Sequence, residues 1–279
     1  MPAVDRTTLL QTWNRGIARG EIVPLIGPGA LSGSRDAADG AFLPVAEADL
    51  TRAMNGGRPM SPRLASDLPR AAMALEFRKG RRAVTRFLAA LYGGRAWTPT
   101  PLQSWIAGLA PPYLIDLNRD GVLAARLGPH LLVQGVARIG AALPRFRLFS
   151  CGGTACTPLP ADAGNPGGLP VLFKPLGSAE PEAGFVVADA DFVDYITELM
   201  GGFAVPPFLK AARRGRRYLI AGLPLSRDLE RMIVRELIHD ADPAGAGWLV
   251  LERPNPKEIR FARQMNLILV EAPLAAFWN

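Results

Sequence analysis

Histidine and cysteine are scarce: the 279 residues contain two of each. His130 and His239 stand in unrelated contexts. The cysteines form one close pair, Cys151-Gly-Gly-Thr-Ala-Cys156, where a structural zinc site needs two such pairs, so no metal site is expected. A reducing compartment also disfavours a disulfide, which leaves two small, half-buried thiols beside a Gly-Gly turn as the expectation. There is no uncharged apolar run of about 18 residues, so no transmembrane helix and no membrane partner are expected. The opening residues MPAVDRTT lack an apolar segment behind a basic stretch. That argues against a secretory signal and makes the cytoplasm the expected location. Internal repeats and long low-complexity tracts are absent as well.

The chain is 49% hydrophobic and 20% charged, ordinary for a globular protein long enough for one large domain or two small ones. Net charge is +7, from 32 basic and 25 acidic residues. The excess is mostly arginine, concentrated in Arg78-Lys79-Gly80-Arg81-Arg82 and Arg213-Arg214-Gly215-Arg216-Arg217. Neither cluster carries the interleaved aromatics that base stacking requires, so solvated helix ends and loops are expected in preference to nucleic-acid binding.

Apolar spacing predicts a helix over 5–19, capped by Asp5, and a buried strand over 22–26. Residues 32–66 read as a long loop with at most short helices, 67–92 as helix with a break at Gly80, and 100–109 as a further helix. Strands are expected at 113–118, 131–139, 145–149, 169–174, 218–221, 248–251 and 267–270, those at 131–139 and 145–149 as a hairpin. Helices are expected at 120–127, 189–200, 206–213, 226–239 and 256–265. This alternation implies an α/β fold: a Rossmann-like, doubly wound, mostly parallel sheet in one domain, with a helical insertion over 32–110 after the first strand.

Four strand ends carry motifs. The first strand runs into Gly27-Pro28-Gly29-Ala30-Leu31, where Gly27 and Gly29 suit the approach of a phosphate to bare backbone N–H groups. The third glycine of a dinucleotide fingerprint is missing and Pro28 lacks an N–H. Asp116-Leu117-Asn118-Arg119-Asp120 follows a strand; Asn118 offers a donor and an acceptor for a water or a ribose hydroxyl, and Asp120 suits a helix cap. Lys174-Pro175-Leu176-Gly177-Ser178 follows another. In the fourth, Gly222-Leu223-Pro224-Leu225-Ser226-Arg227-Asp228-Leu229, Ser226 is expected to cap the next helix. Convergence of all four on one rim of the sheet is expected, as open α/β sheets bind ligands at the carboxyl ends of their strands.

In order and spacing these four segments resemble the sirtuin-like domain family, in its bacterial branch without a zinc module, over residues 20–271. The first looks like the family's Gly-Ala-Gly-x-Ser turn and the second like Thr-Thr-Asn-Tyr-Asp, whose Asn matches Asn118. The third looks like Lys-Leu-His-Gly-Ser and the fourth like Gly-Tyr-Ser-Leu-Ser-Asp-Pro-Asp-Leu. The resemblance implies NAD as cofactor, held near Gly27, Gly29, Ala30, Asn118, Asp120, Gly177, Gly222 and Ser226, with Asn118 positioning a water or the ribose during cleavage of the nicotinamide–ribose bond. The family's catalytic His aligns with Leu176, its Ser with Leu31, its Ala with Pro28 and its Tyr with Arg119. A leucine accepts no proton, and loss of a general base commonly costs about 10²–10⁴-fold in rate. The expectation is therefore a catalytically degenerate NAD- or nucleotide-binding protein, a sensor or regulatory subunit. The alternatives are an NAD hydrolase of anti-phage type and a non-catalytic protein-interaction module, the latter suggested by the exposed arginines and by Thr157-Pro158-Leu159-Pro160, taken as a proline-rich loop.

Overall fold

The computed structural model describes residues 5–140, 142–153 and 155–278. In chain order it contains α1 (Arg6–Ala18), β1 (Ile22–Ile26), α2 (Glu47–Met54), α3 (Pro62–Ala65), α4 (Leu68–Lys79), α5 (Arg81–Tyr92), α6 (Pro101–Gly108), β2 (Tyr113–Asp116), β3 (His130–Gly135), β4 (Phe146–Gly152), β5 (Ala155–Leu159) and β6 (Val171–Lys174). There follow the short pair β7 (Gly177–Ser178) and β8 (Gly184–Phe185), then α7 (Asp189–Met200), α8 (Pro207–Ala212), β9 (Arg217–Ala221), α9 (Asp228–Leu237), β10 (Gly247–Leu251), α10 (Pro256–Gln264) and β11 (Leu267–Glu271). No helix among the described residues is long and apolar enough to cross a membrane.

Nine strands form one sheet in the order β11-β10-β9-β1-β2-β6-β3-β4-β5. The seven from β11 to β3 are parallel, and β4 and β5 join as antiparallel edge strands. This is a Rossmann-like α/β fold. Strand periodicity builds its layers. Leu25, Ile115, Val133, Phe173 and Ile220 face the side covered by α7 to α10. Ile26, Leu114, Leu132, Leu172 and Leu219 face α1 and α6. Trp13 of α1 closes that second layer against Phe277 and Trp278, with ring centroids 5.1 and 5.9 Å away.

Local capping follows the sequence in several places. The Asp5 carboxylate accepts the Thr8 N–H at 3.1 Å at the start of α1. Thr100 and Gln103 form a reciprocal capping box on α6. Between β1 and β2, helices α2 to α5 make a separate apolar cluster around Leu50, Leu68, Leu75, Leu88 and Tyr92, closed by Phe185 and Val187. Helix α6 does not belong to it; Leu102 and Ile106 pack on the sheet.

Three expectations are corrected here. Thr157, Pro158 and Leu159 lie in β5, not in a loop. A proline is tolerated there because β5 is the sheet edge, where one side of the strand needs no ladder donor. Cys151 and Cys156 sit directly opposite each other across β4 and β5 and form a disulfide, not free thiols. The hairpin supplies what spacing alone does not, a register that brings the two Cα atoms to 4.1 Å. The segment 120–127 contains only a short 3-10 turn, Ala124–Arg126.

Candidate functional site

β1, β2, β6 and β9 are adjacent and parallel, so the loops leaving them emerge on one rim. From β1 the chain crosses to β2 on one side and later places β9 on the other, which makes this rim a topological switch point. A cleft of about 500 Å³ opens there. Its floor comes from Pro28, Gly29, Leu117, Asn118, Leu176 and Leu223, and its roof from residues of the helical module, including Leu50, Leu68 and Tyr92. The volume lies in the usual range for small-molecule sites.

The Gly27-Pro28-Gly29 turn does not present bare N–H groups to this cleft. Its donors are spent within the protein: Gly27 N–H on Ala221 O (3.1 Å), Gly29 N–H on Gly222 O (2.7 Å) and Ala30 N–H on Gly27 O (2.9 Å). A Cβ on Gly27 would stand 2.7 Å from Leu223 Cδ1, and one on Gly29 would stand 3.0 Å from Gly222 Cα. These glycines are required because two strand-end loops press against each other, not because a phosphate does. Ala30 is buried beneath the turn, where its carbonyl accepts the Thr100 hydroxyl at 2.7 Å.

Asn118 is 2% exposed and lines the cleft. Its backbone N–H donates to Asp116 Oδ1 at 3.0 Å, and its side-chain amide donates to Gly27 O at 3.2 Å. The side-chain carbonyl Oδ1 is buried and has no protein partner. Beneath it Lys174 Nζ meets Asp116 Oδ2 at 2.5 Å, with both side chains essentially inaccessible. Sequence reading missed this pair; the signal was a lysine ending an otherwise apolar strand.

Asp120 does not reach the cleft and caps no helix. It is fully buried, its Oδ1 accepts the Val122 N–H at 2.9 Å, and its Oδ2 has no partner. Burial raises its pKa above the ordinary carboxylate value; the Lys174 ammonium opposes that rise and the Asp116 carboxylate adds to it. A carboxyl with a raised folded-state pKa favours the folded state at low pH and loses that contribution as the pH rises through the folded value. Asp120→Asn keeps the Oδ1 acceptor and removes the titration. Urea denaturation as a function of pH should therefore show wild-type stability falling, relative to the variant, as the pH rises from about 4 to 8. Parallel curves would refute the assignment.

Charged side chains form part of the cleft lining. Arg227, at the N-terminus of α9, holds both Glu47 carboxylate oxygens, at 2.5 and 3.1 Å, and reaches Glu230 at 2.7 Å. This links the helical module to the loop after β9. Burial raises the Glu47 pKa, with Arg227 opposing it. Arg227, not Ser226, is the N-cap of α9, its N–H bonded to Glu230 Oε2 at 3.0 Å. Ser226 instead lines the cleft.

Of the residues predicted from sequence, Gly29, Asn118 and Ser226 line the cleft, and Gly27, Ala30 and Gly222 form the packed layer under it. Gly177 pairs with Phe185 in the β7–β8 ladder, outside the lining. Leu176 is in the cleft floor and has no acid–base capacity. His130 starts β3 at the opposite end of the sheet, its Nδ1 2.9 Å from Gly128 O, and His239 is exposed beside Asp240.

The arginine clusters are only partly solvated. Arg81 bridges Glu76 (2.5 Å) and Asp191 (2.6 Å), and Arg216 donates to Gly20 O at 2.6 Å. Arg119 and Tyr92, both buried in the cleft wall, were missed as a pair. They are 27 positions apart, and only folding brings α5 over the rim. Burial pushes the Tyr92 phenol up to about 12. No group of three or more His, Cys, Asp or Glu side chains able to hold a metal occurs among the described residues. No protein-family model matches the chain, and no curated protein matches it in sequence.

Proposed function

We propose that this protein binds a nucleotide of the NAD class in the rim cleft and does not turn it over efficiently, as a degenerate relative of the sirtuin-like domain family. The observation that carries the reading is the cleft at the switch point, lined by Asn118, whose buried Oδ1 has no protein partner. Asn118 would take a ribose hydroxyl, Ser226 and Gly29 the neighbouring edge of the ligand, and the apolar lining residues Leu31, Leu117, Leu223 and Ile233 its ring faces. The pyrophosphate would have to be met by side chains, since the Gly27–Ala30 donors are committed elsewhere. When bound, NAD supplies a labile nicotinamide–ribose bond. Nothing in the lining provides a histidine base beside it: Leu176 excludes water there without accepting a proton.

Titration calorimetry with NAD and ADP-ribose should give binding to both, and Asn118→Ala should weaken it about tenfold, the cost of an unmade hydrogen bond. Nicotinamide release by the wild type should stay at background. Heat from neither ligand at millimolar concentration would remove the proposal. Release above background that Asn118→Ala abolishes would favour the hydrolase instead.

A further inference from the structure

One guanidinium of the cleft lining, Arg119, makes no ion pair among the described residues. Arg119 is 6% exposed and lines the cleft beside Asn118. Its Nη2 donates to Val186 O at 2.6 Å, and its buried Nε–H has no partner. Among the described residues no carboxylate forms an ion pair with it. The two carboxylates that act on Arg119, after the Tyr92 phenol, are already engaged. Asp191 is held by Arg81 at 2.6 Å and Arg138 at 3.4 Å, and Glu47 by Arg227 at 2.5 Å. In the inner network two carboxylates, Glu76 and Asp191, face two guanidinium groups, Arg81 and Arg138; on the other side Glu47 and Glu230 both bind Arg227, so none of these four carboxylates contacts Arg119 directly.

A buried guanidinium stays charged, and its desolvation costs several kcal/mol unless an anion compensates. Burial accordingly lowers the Arg119 pKa; the neighbouring Tyr92 phenol opposes that shift first, then Asp191 and Glu47, none of them as an ion pair. We infer that the cleft recognises an acidic group, a carboxylate or phosphate oxygen, on the part of the ligand that reaches Arg119, through the guanidinium N–H donors that Val186 O leaves free. This rests on the nucleotide reading for the rest of the ligand, but the anion subsite stands on Arg119 itself. The preferred ligand is then a dinucleotide whose pyridine ring bears a carboxylate in place of the neutral carboxamide, or one whose phosphate lies at that depth. The site therefore selects by charge at a position where the family resemblance would place a neutral tyrosine.

The test compares NAD with nicotinic acid adenine dinucleotide by calorimetry on the wild type, Arg119→Gln and Arg119→Met. Thermal melting checks that the variants fold. Because Arg119 is buried and makes no ion pair among the described residues, neither variant should melt below the wild type by more than a few degrees. A preference of about tenfold or more for the acid dinucleotide in the wild type, reduced to about unity in the variants, supports a carboxylate subsite. Equal affinity for the two dinucleotides, with both weakened about tenfold in the variants and adenosine unaffected, supports a phosphate subsite. Affinities unchanged within twofold by both substitutions overturn the inference and leave the nucleotide reading intact. If neither dinucleotide binds the wild type, the nucleotide reading fails. The subsite is then decided by free nicotinate and inorganic pyrophosphate: a rise in melting temperature in the wild type that the variants lack retains it, and no rise overturns it.

Discussion

Gly222→Ala is expected to lower stability by about 3 kcal/mol or more and to abolish ligand binding in whatever folded protein remains. Two costs combine. Gly222 has φ 68°, a left-handed conformation that costs a residue with a Cβ about 1–2 kcal/mol. The new Cβ would also stand 2.5 Å from Ala30 N and 3.0 Å from Gly29 C, both backbone atoms. Those atoms cannot rotate away, so the β1 and β9 loops must separate, which adds a typical overpacking cost of about 1–3 kcal/mol. Gly215→Ala is the matched control. It shares the left-handed φ, 65°, but a Cβ there would meet nothing within 4 Å, so it should cost only about 1 kcal/mol. Urea midpoints for the two variants measure the difference. Equal losses would mean that the loops do not interlock as described.

The second large effect is expected from Lys174→Met. Breaking a buried ion pair by removing one partner typically costs about 3–5 kcal/mol, because the remaining charge stays buried without compensation. Here the consequence extends to a second carboxyl. Asp120, already raised by burial, loses the ammonium that pulls it down and keeps the neighbouring Asp116. Its folded-state pKa must then rise further, and the folded variant takes up a proton that the unfolded chain releases. The stability deficit should therefore be largest near pH 8 and shrink as the pH falls toward 5. Asp116→Asn in the same background should restore part of the loss. Chemical denaturation at three pH values decides the matter, and a deficit independent of pH would show that Lys174 does not compensate Asp120. Through Asp116 Oδ1, which accepts the Asn118 N–H at 3.0 Å, the same substitution should also loosen the cleft floor.

Much of the fold was legible. The 22–26 strand matches β1 residue for residue, and the break at Gly80 falls between α4 and α5. Both follow from local rules, a short apolar run ended by glycine and two amphipathic stretches joined by a glycine. The β5 strand was missed because Thr-Pro-Leu-Pro lacks alternation, and only pairing with β4 makes it a strand. The disulfide was missed for the same reason, since opposite placement is a property of hairpin register. Ser226 was given the cap because Ser is a good capping residue. Arg227 takes that position because Glu230 reaches back to its N–H and Glu47 of the helical module holds its guanidinium.

The candidate site divides along the same line. Strands alternating with helices already imply that the segments at 27, 118, 177 and 222 leave parallel strands at one end, since a right-handed crossover returns the chain in the same direction. The roles of individual groups needed the tertiary structure. Whether Gly27 makes room for a phosphate or for Leu223, whether Lys174 is solvated or locked onto Asp116, and whether Arg119 has a counter-ion depend on atoms far away in sequence. Order and direction of elements arise from short-range periodicity and chain connectivity, which the sequence carries locally. The charge balance and free space of a site are sums over everything packed around it, and only the folded chain brings those terms together.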